Sequence, residues 1–227
     1  MATVCLVGST GLVGSNIYTV LSKHPHFNTI YAYSRKDLPI SEKLKPLVSK
    51  DTSSWPSQFP SGAELFISAL GTTRGAAGGF ENQRKIDYDL NLELAKAAKE
   101  AGTKHYVLIS STGASASSSL GYPKMKGELE EAVKALDFDH LVVLRPGLLV
   151  GNRNESRFGE MVFRKIAAGA GAISGNRLKD FWAQDADVVA KAAVRAGLDC
   201  MEGKQEEKFR LLGQADVVRL GRTEWKD

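Results

Sequence analysis

The sequence predicts an α/β fold built on a doubly wound parallel sheet, and three observations carry that prediction. Strand-like and helix-like segments alternate from the first residues to about residue 150, the pattern of strands joined by crossover helices. The first strand segment is a continuous apolar run, as expected of a strand covered on both faces. A glycine-spaced turn, Gly8 to Gly14, joins that strand to the first helix.

The elements follow in order. The run Thr3-Val4-Cys5-Leu6-Val7 reads as strand, and a helix spans about 11–22 until His24-Pro25 ends it. Strands follow at 29–33, 46–49 and 65–70, with a Ser-, Pro- and Trp-rich loop over 51–62. The glycine-dense segment 71–79 is expected to lie outside any regular element. Apolar positions then recur at helical spacing over 82–101, with Gly102 as C-cap. Tyr106–Ser110 reads as strand, 123–136 as helix and Leu141–Leu144 as strand. Beyond Gly151 the regularity weakens: helices are expected near 160–168 and 186–198, a strand near 209–212 and a last short helix. No linker or repeat interrupts the chain, so 1–227 reads as one domain whose part from about 151 forms a small substrate lobe.

Composition narrows the function classes. The chain has 227 residues, 43% of them apolar and 25% charged, so it builds a core without disulfides or metals. Its 30 cationic and 26 anionic residues are interleaved along the sequence, which argues against a nucleic-acid partner. Cys5 and Cys200 lie far apart with no metal-like spacing, which fits a reducing compartment. The first strand begins almost at Met1, so no cleavable leader is expected, and no apolar run reaches transmembrane length. The expected location is the cytoplasm.

The glycine turn, Gly8-Ser9-Thr10-Gly11-Leu12-Val13-Gly14, follows a strand and opens a helix. Small residues there let the backbone approach a diphosphate, whose charge rests on unpaired N–H groups at the helix N-terminus. The plain alternative is a tight strand–helix turn. After the second strand come Arg35 and Lys36, where an NAD-binding fold would place an acid. Two cations suit the 2′-phosphate of NADP(H), and that cofactor is expected in preference to NAD(H). Asp51, after the third strand, and Leu70-Gly71-Thr72, after the fourth, stand where a Rossmann-type sheet flanks adenine and ribose.

Tyr122 and Lys126 lie four residues apart at a helix start and share a face. A phenol donates a proton to a carbonyl under reduction if its pKa falls, and a lysine cation nearby lowers it by roughly 1–3 units. A hydroxyl from Ser111 or Thr112, at the end of the fifth strand, would orient the carbonyl. This Tyr-x-x-x-Lys match occurs once among six tyrosines. Its weight comes from its place after a serine-rich strand end.

Together these residues resemble the short-chain dehydrogenase/reductases, and among their atypical members the Tat-interacting-protein oxidoreductase family with its fungal "found in mitochondrial proteome" branch. The resemblance runs through Leu70-Gly71-Thr72-Thr73-Arg74-Gly75, Ser110-Ser111-Thr112-Gly113-Ala114, Tyr122 to Glu128, Phe138-Asp139, Arg145-Pro146-Gly147 and Asn152 to Arg157. It implies NADPH held by Gly8–Gly14, Arg35, Lys36 and Leu70–Thr72, with Tyr122 and Lys126 as the active pair. It also implies Arg145-Pro146-Gly147 near the nicotinamide and Arg157 facing the cofactor; for Arg145, a structural ion pair is the competing reading. The sequence departs from better-known members in setting Ser111 only 11 residues before Tyr122. Two functions compete: an NADPH-dependent reductase of a small or lipid-like carbonyl compound, and a non-catalytic NADPH-responsive regulator that binds a protein partner. The fungal branch is associated with the outer mitochondrial membrane. With no anchor in the sequence, such an association would be peripheral, on the cytosolic face.

Overall fold

Along β1 (Ala2–Val7) successive side chains leave for opposite faces of the sheet, and both faces are apolar. Val4 and Leu6 enter one core while Cys5 and Val7 enter the other. The computed structural model describes residues 1–39, 41–150 and 183–226. The same division recurs in β5 (His105–Ile109) and β6 (His140–Leu144). There Val107, Ile109, Val142 and Leu144 face one way and Tyr106, Leu108, Leu141 and Val143 the other. Each buried Val, Leu or Phe contributes roughly 1.5–3 kcal/mol, so two complete apolar faces require helices on both sides.

Those helices are present. One face carries α1 (Leu12–Lys23) through Val13, Ile17 and Leu21, and the alanine-rich α6 (Ala186–Met201) beside it. The other face carries α4 (Asn91–Glu100) through Leu94, Ala95 and Ala98, and α5 (Gly121–Lys134) through Leu129 and Val133. Small residues let α6 sit close: a Cβ on Gly197 would stand 2.6 Å from a methyl of Leu65.

With β2 (Phe27–Ser34), β3 (Leu44–Val48), β4 (Leu65–Ser68) and β9 (Phe209–Leu212), the strands form one seven-stranded sheet in the order β3-β2-β1-β4-β5-β6-β9. Every neighbouring pair is parallel, so all C-terminal strand ends lie along one edge. The order reverses beside β1, between β2 and β4, where open α/β sheets hold their ligands. The chain is thus a Rossmann-type doubly wound sheet.

Several elements differ from the sequence expectation. The glycine-dense segment is not wholly irregular: α2 (Arg74–Ala77) forms one helical turn there, with the Thr73 Oγ1 accepting from Ala76 N–H at 3.2 Å. The helix expected over 82–101 starts earlier, as α3 (Phe80–Arg84), and passes through a π-helical stretch, Lys85–Leu90, before α4. The Asn91 side chain explains the widened turn, since its amide donates to the Ile86 and Asp87 carbonyls at 3.3 and 3.1 Å. β4 stops at Ser68 because the Leu70 carbonyl is taken by that same amide, at 3.2 Å. A second, two-stranded parallel sheet, β7 (Leu148–Val150) with β8 (Ala183–Asp185), has no counterpart in the sequence reading. After β9 the last helix, α7 (Gln214–Val218), continues into a π-helical turn at Arg219–Thr223. The helix expected near 160–168 and Arg157 lie outside the described residues.

Candidate nucleotide and active site

The turn after β1 depends on glycine at two positions. Gly8 has φ +83°, and a Cβ there would lie 2.4 Å from the Ala69 carbonyl oxygen at the end of β4. A Cβ on Gly14 would lie 2.0 Å from the Gly8 carbonyl oxygen, so α1 rests directly on the turn. Ser9 ties this turn to β2, its buried hydroxyl donating to the Tyr33 carbonyl at 2.9 Å. Tyr33 in turn stacks on Trp55 and donates to its carbonyl at 2.9 Å, which pins the loop after β3.

Gly11 is the N-cap of α1 and offers no side-chain acceptor, and no acid occupies the first turn. The first backbone bond of the helix runs from Ser15 N–H to the Gly11 carbonyl at 3.0 Å. The N–H groups of Leu12, Val13 and Gly14 precede it, at the positive end of the helix. An uncapped N-terminus beside a turn too tight for any Cβ fits the diphosphate of a dinucleotide. Thr10 is exposed beside it, and Arg35 and Lys36 are exposed just beyond β2. Among the described residues, neither of these cations carries an ion pair. Asp51 caps the turn at Thr52–Ser54, accepting from Ser53 N–H at 3.0 Å and Ser53 Oγ at 2.6 Å, and these bonds hold its carboxyl below the usual range.

Leu70, Gly71 and Thr72 leave the end of β4 and are held from below by α3 and the π-helical stretch. Thr72 N–H donates to Asp87 Oδ1 at 2.7 Å, and Gln83 Nε2 donates to the Thr72 carbonyl at 3.1 Å. Gln83, Asp87 and Asn91 are functional-site residues without a motif of their own in the sequence. Their signal was spacing: they recur every four residues and run straight into the Leu94–Ala95–Ala98 stripe, so three polar side chains occupy a buried face.

Tyr122 and Lys126 lie in the first turns of α5, as expected, but their electrostatics differ from expectation. Lys126 is buried, 3% exposed, and donates to the Ile109 carbonyl at 3.2 Å. Burial lowers its pKa, while Asp87 and Glu130 act to raise it. Tyr122 is 41% exposed. Its pKa is raised by partial desolvation and by Asp87, and a hydrogen bond from Ser111 opposes the rise. The expectation that Lys126 lowers the phenol's pKa is therefore corrected. The ammonium is directed at the end of β5 and its charge is shared with two carboxylates, so the phenol instead feels Asp87.

Of the two hydroxyls at the end of β5, Ser111 is the one that acts on the Tyr122 phenol, and its Oγ donates to the Thr112 carbonyl at 3.3 Å. Thr112 turns away, its Oγ1 accepting from Gln214 Nε2 at 3.1 Å. Ser110 donates to Glu130, and Arg145 binds both oxygens of that carboxylate. Arg145 thus has a buried structural partner at the end of β6. Gly127 lets α5 settle on the loop that carries these serines, since a Cβ there would stand 2.2 Å from Ala116 N. Beside Tyr122 lies a cleft of about 570 Å³ between Thr72–Arg74 on one side and Phe80, Gly121 and Tyr122 on the other. Among the described residues, no group of three or more His, Cys, Asp or Glu is arranged to hold a metal.

Residues 47–166 match the HIM1 family, and residues 3–77 match the family "Semialdehyde dehydrogenase, NAD binding domain". Protein fmp52-1, mitochondrial, of Aspergillus terreus is 51% identical over 232 residues, covering 98% of this chain and 100% of the relative. The chain belongs to the FMP52 family. Protein fmp52, mitochondrial, of Aspergillus fumigatus is 50% identical, and protein fmp-52, mitochondrial, of Neurospora crassa 43%, each across at least 97% of both chains. In fold, this FMP52-family chain is similar to MoeE5 in complex with UDP-glucose and NAD, with TM-score 0.69 at 15% identity over 98% of this chain and 82% of that one. It is also similar to the Saccharomyces cerevisiae short-chain dehydrogenase/reductase YIR035C, with TM-score 0.66 at 13% identity over 97% and 99%. The FMP52 family thus stands on the short-chain dehydrogenase/reductase fold.

Proposed function

We propose that this FMP52-family protein binds NADP(H) and reduces a small or lipid-like carbonyl compound, as an atypical short-chain dehydrogenase/reductase akin to the Tat-interacting-protein oxidoreductases. The observation that carries the reading is a convergence on one sheet edge. The uncapped start of α1, the Thr72 loop and the Tyr122–Ser111–Lys126 group lie at the C-terminal ends of β1, β4 and β5. The match of residues 3–77 to an NAD-binding domain family supports it.

NADPH, when bound, supplies the hydride. The α1 N–H groups hold the diphosphate, and Arg35 with Lys36 grips the 2′-phosphate. Leu70–Thr72 lines the ribose, with Asp51 as a further cofactor contact. Tyr122 Oη donates a proton to the carbonyl oxygen, which the Ser111 hydroxyl orients, and the phenolate so formed regains its proton from solvent. Lys126, bound to the Ile109 carbonyl, positions the strand end that carries Ser111. Residues 1–227 act as one domain. The test is NADPH oxidation over a panel of aldehydes and ketones, with Tyr122→Phe abolishing turnover while keeping coenzyme affinity. An unchanged rate in that variant refutes the mechanism.

A second reading is a regulator in which bound NADPH shapes a surface for a protein partner. It is favoured by the raised pKa of Tyr122 and by the Lys126 ammonium being bound to the Ile109 carbonyl. Coenzyme-dependent capture of a partner by the Tyr122→Phe variant would support it. The relatives' mitochondrial names favour a place at that organelle. No helix among the described residues is long and apolar enough to cross a membrane; the attachment proposed is peripheral, on the cytosolic face of the outer membrane.

A further inference from the structure

The cleft beside Tyr122 is constructed by local features that its chemistry explains. Thr73 caps the single turn of α2, which places Arg74 at its first position. Gly78 and Gly79, with φ +75° and +142°, then reverse the chain so that Phe80 opens α3 across from α5. Phe80 and Gly121 meet so closely that a Cβ on Gly121 would lie 3.0 Å from the ring. Two aromatic residues, Phe80 and Tyr122, therefore line the same slot.

The charges around the slot are unequal. Arg74 is the one charged side chain among the residues that line it, and it is exposed with no ion pair among the described residues. The nearby Arg84 is committed, bound to Glu128 at 2.7 Å and stacked 4.3 Å over the Tyr88 ring. Gln83 and Asp87 are engaged with Thr72. The cleft thus offers an uncommitted guanidinium at one place and apolar ring faces at another, in a volume suited to a small molecule. A guanidinium presents its N–H groups as a planar fork that matches a carboxylate.

We infer that this cleft binds carbonyl compounds bearing a carboxylate, with Arg74 gripping the carboxylate and Phe80 and Tyr122 flanking the carbon skeleton. The inference rests on the proposed reductase site and specifies its substrate class. Carboxylate recognition at Arg74 also stands or falls by binding alone, whether or not the carbonyl is reduced.

The experiment titrates the full chain, with and without saturating NADP+, with 4-formylbenzoate and with its methyl ester, and measures NADPH oxidation by both. The acid should bind at least tenfold more tightly than the ester. Arg74→Gln should reduce that ratio to near one, and Arg74→Lys should retain part of it, as loss of a charge-assisted pair predicts. An unchanged coenzyme affinity in both variants confirms that they are folded. Equal binding of acid and ester, a ratio indifferent to Arg74, or no binding of either at millimolar concentration overturns the inference. If the acid binds through Arg74 but neither compound is reduced, the reductase reading fails and the carboxylate site stands. If the ester is reduced as well as the acid, the site fails and the reductase stands.

Discussion

Asp87 and Lys126 lie together beneath the loop that follows β4, 2% and 3% exposed respectively, and each shifts the other's titration. Asp87 also receives the Thr72 N–H, so one carboxylate joins the candidate cofactor loop to the candidate catalytic helix. Burial lifts its pKa to about 6 even though Lys126, Thr72 and Gln83 all act to lower it.

A carboxyl with a higher pKa in the folded than in the unfolded state takes up a proton on folding. Its contribution to stability is therefore complete below about pH 4 and is lost as pH rises through about 6. Asp87→Asn keeps an acceptor for Thr72 and removes this titration. Urea unfolding should show the wild type losing stability relative to the variant between about pH 4 and 7, by on the order of 3 kcal/mol at most. Parallel curves would place the titration elsewhere. The variant also removes a negative charge facing Tyr122, so a Tyr122-dependent rate should move its alkaline limb to lower pH.

Glycine substitutions should separate a packed turn from an open one. Gly14→Ala drives a methyl into the Gly8 carbonyl and should cost about 3 kcal/mol or more and abolish coenzyme binding. Gly75→Ala, in α2 with no heavy atom within 4 Å of the added carbon, should be neutral or stabilise by about 0.4–1 kcal/mol. Thermal unfolding with and without NADPH reads both effects.

Arg35→Ala and Lys36→Ala should weaken NADPH binding and spare NADH. Loss of a charge-assisted phosphate contact is worth about 1.5–3 kcal/mol, roughly ten- to a hundredfold in affinity. Calorimetric titration with both coenzymes decides it, and an equal loss for both would remove the assignment of these cations to the 2′-phosphate.

Arg145 is expected to act on stability first. Its partner Glu130 has a side chain only 7% exposed and also accepts from Ser110. Arg145→Met strands that carboxylate and should cost about 3–5 kcal/mol. Pairing it with Glu130→Leu should recover part of the loss. A single variant of wild-type stability with lost coenzyme affinity would instead favour a direct role at the nicotinamide.

The sheet was legible because its signal is dense and local. β1, β5 and β6 are apolar on both faces, and the glycine turn after β1 has few alternatives once a helix must start there. The pairing of β7 with β8 was not legible, since three-residue strands some thirty residues apart carry no periodicity of their own. The α2 turn was hidden for a related reason: its glycines resemble a loop, and only the Thr73 cap and two glycines of positive φ, Gly78 and Gly79, bound it.

The sequence alone determined the parallel sheet, the place of the glycine turn after β1 and the common face of Tyr122 and Lys126, because these follow from the periods of strand and helix and from steric demands at single glycines. Tertiary structure alone decided that the Lys126 ammonium binds the Ile109 carbonyl, that Asp87, Gln83 and Asn91 hold the loop after β4, and that the Thr112 hydroxyl is taken by Gln214. The physical reason is that a charge or hydrogen bond is governed by desolvation and by neighbours within a few ångströms, and here those neighbours come from helices and strand ends far apart in the chain.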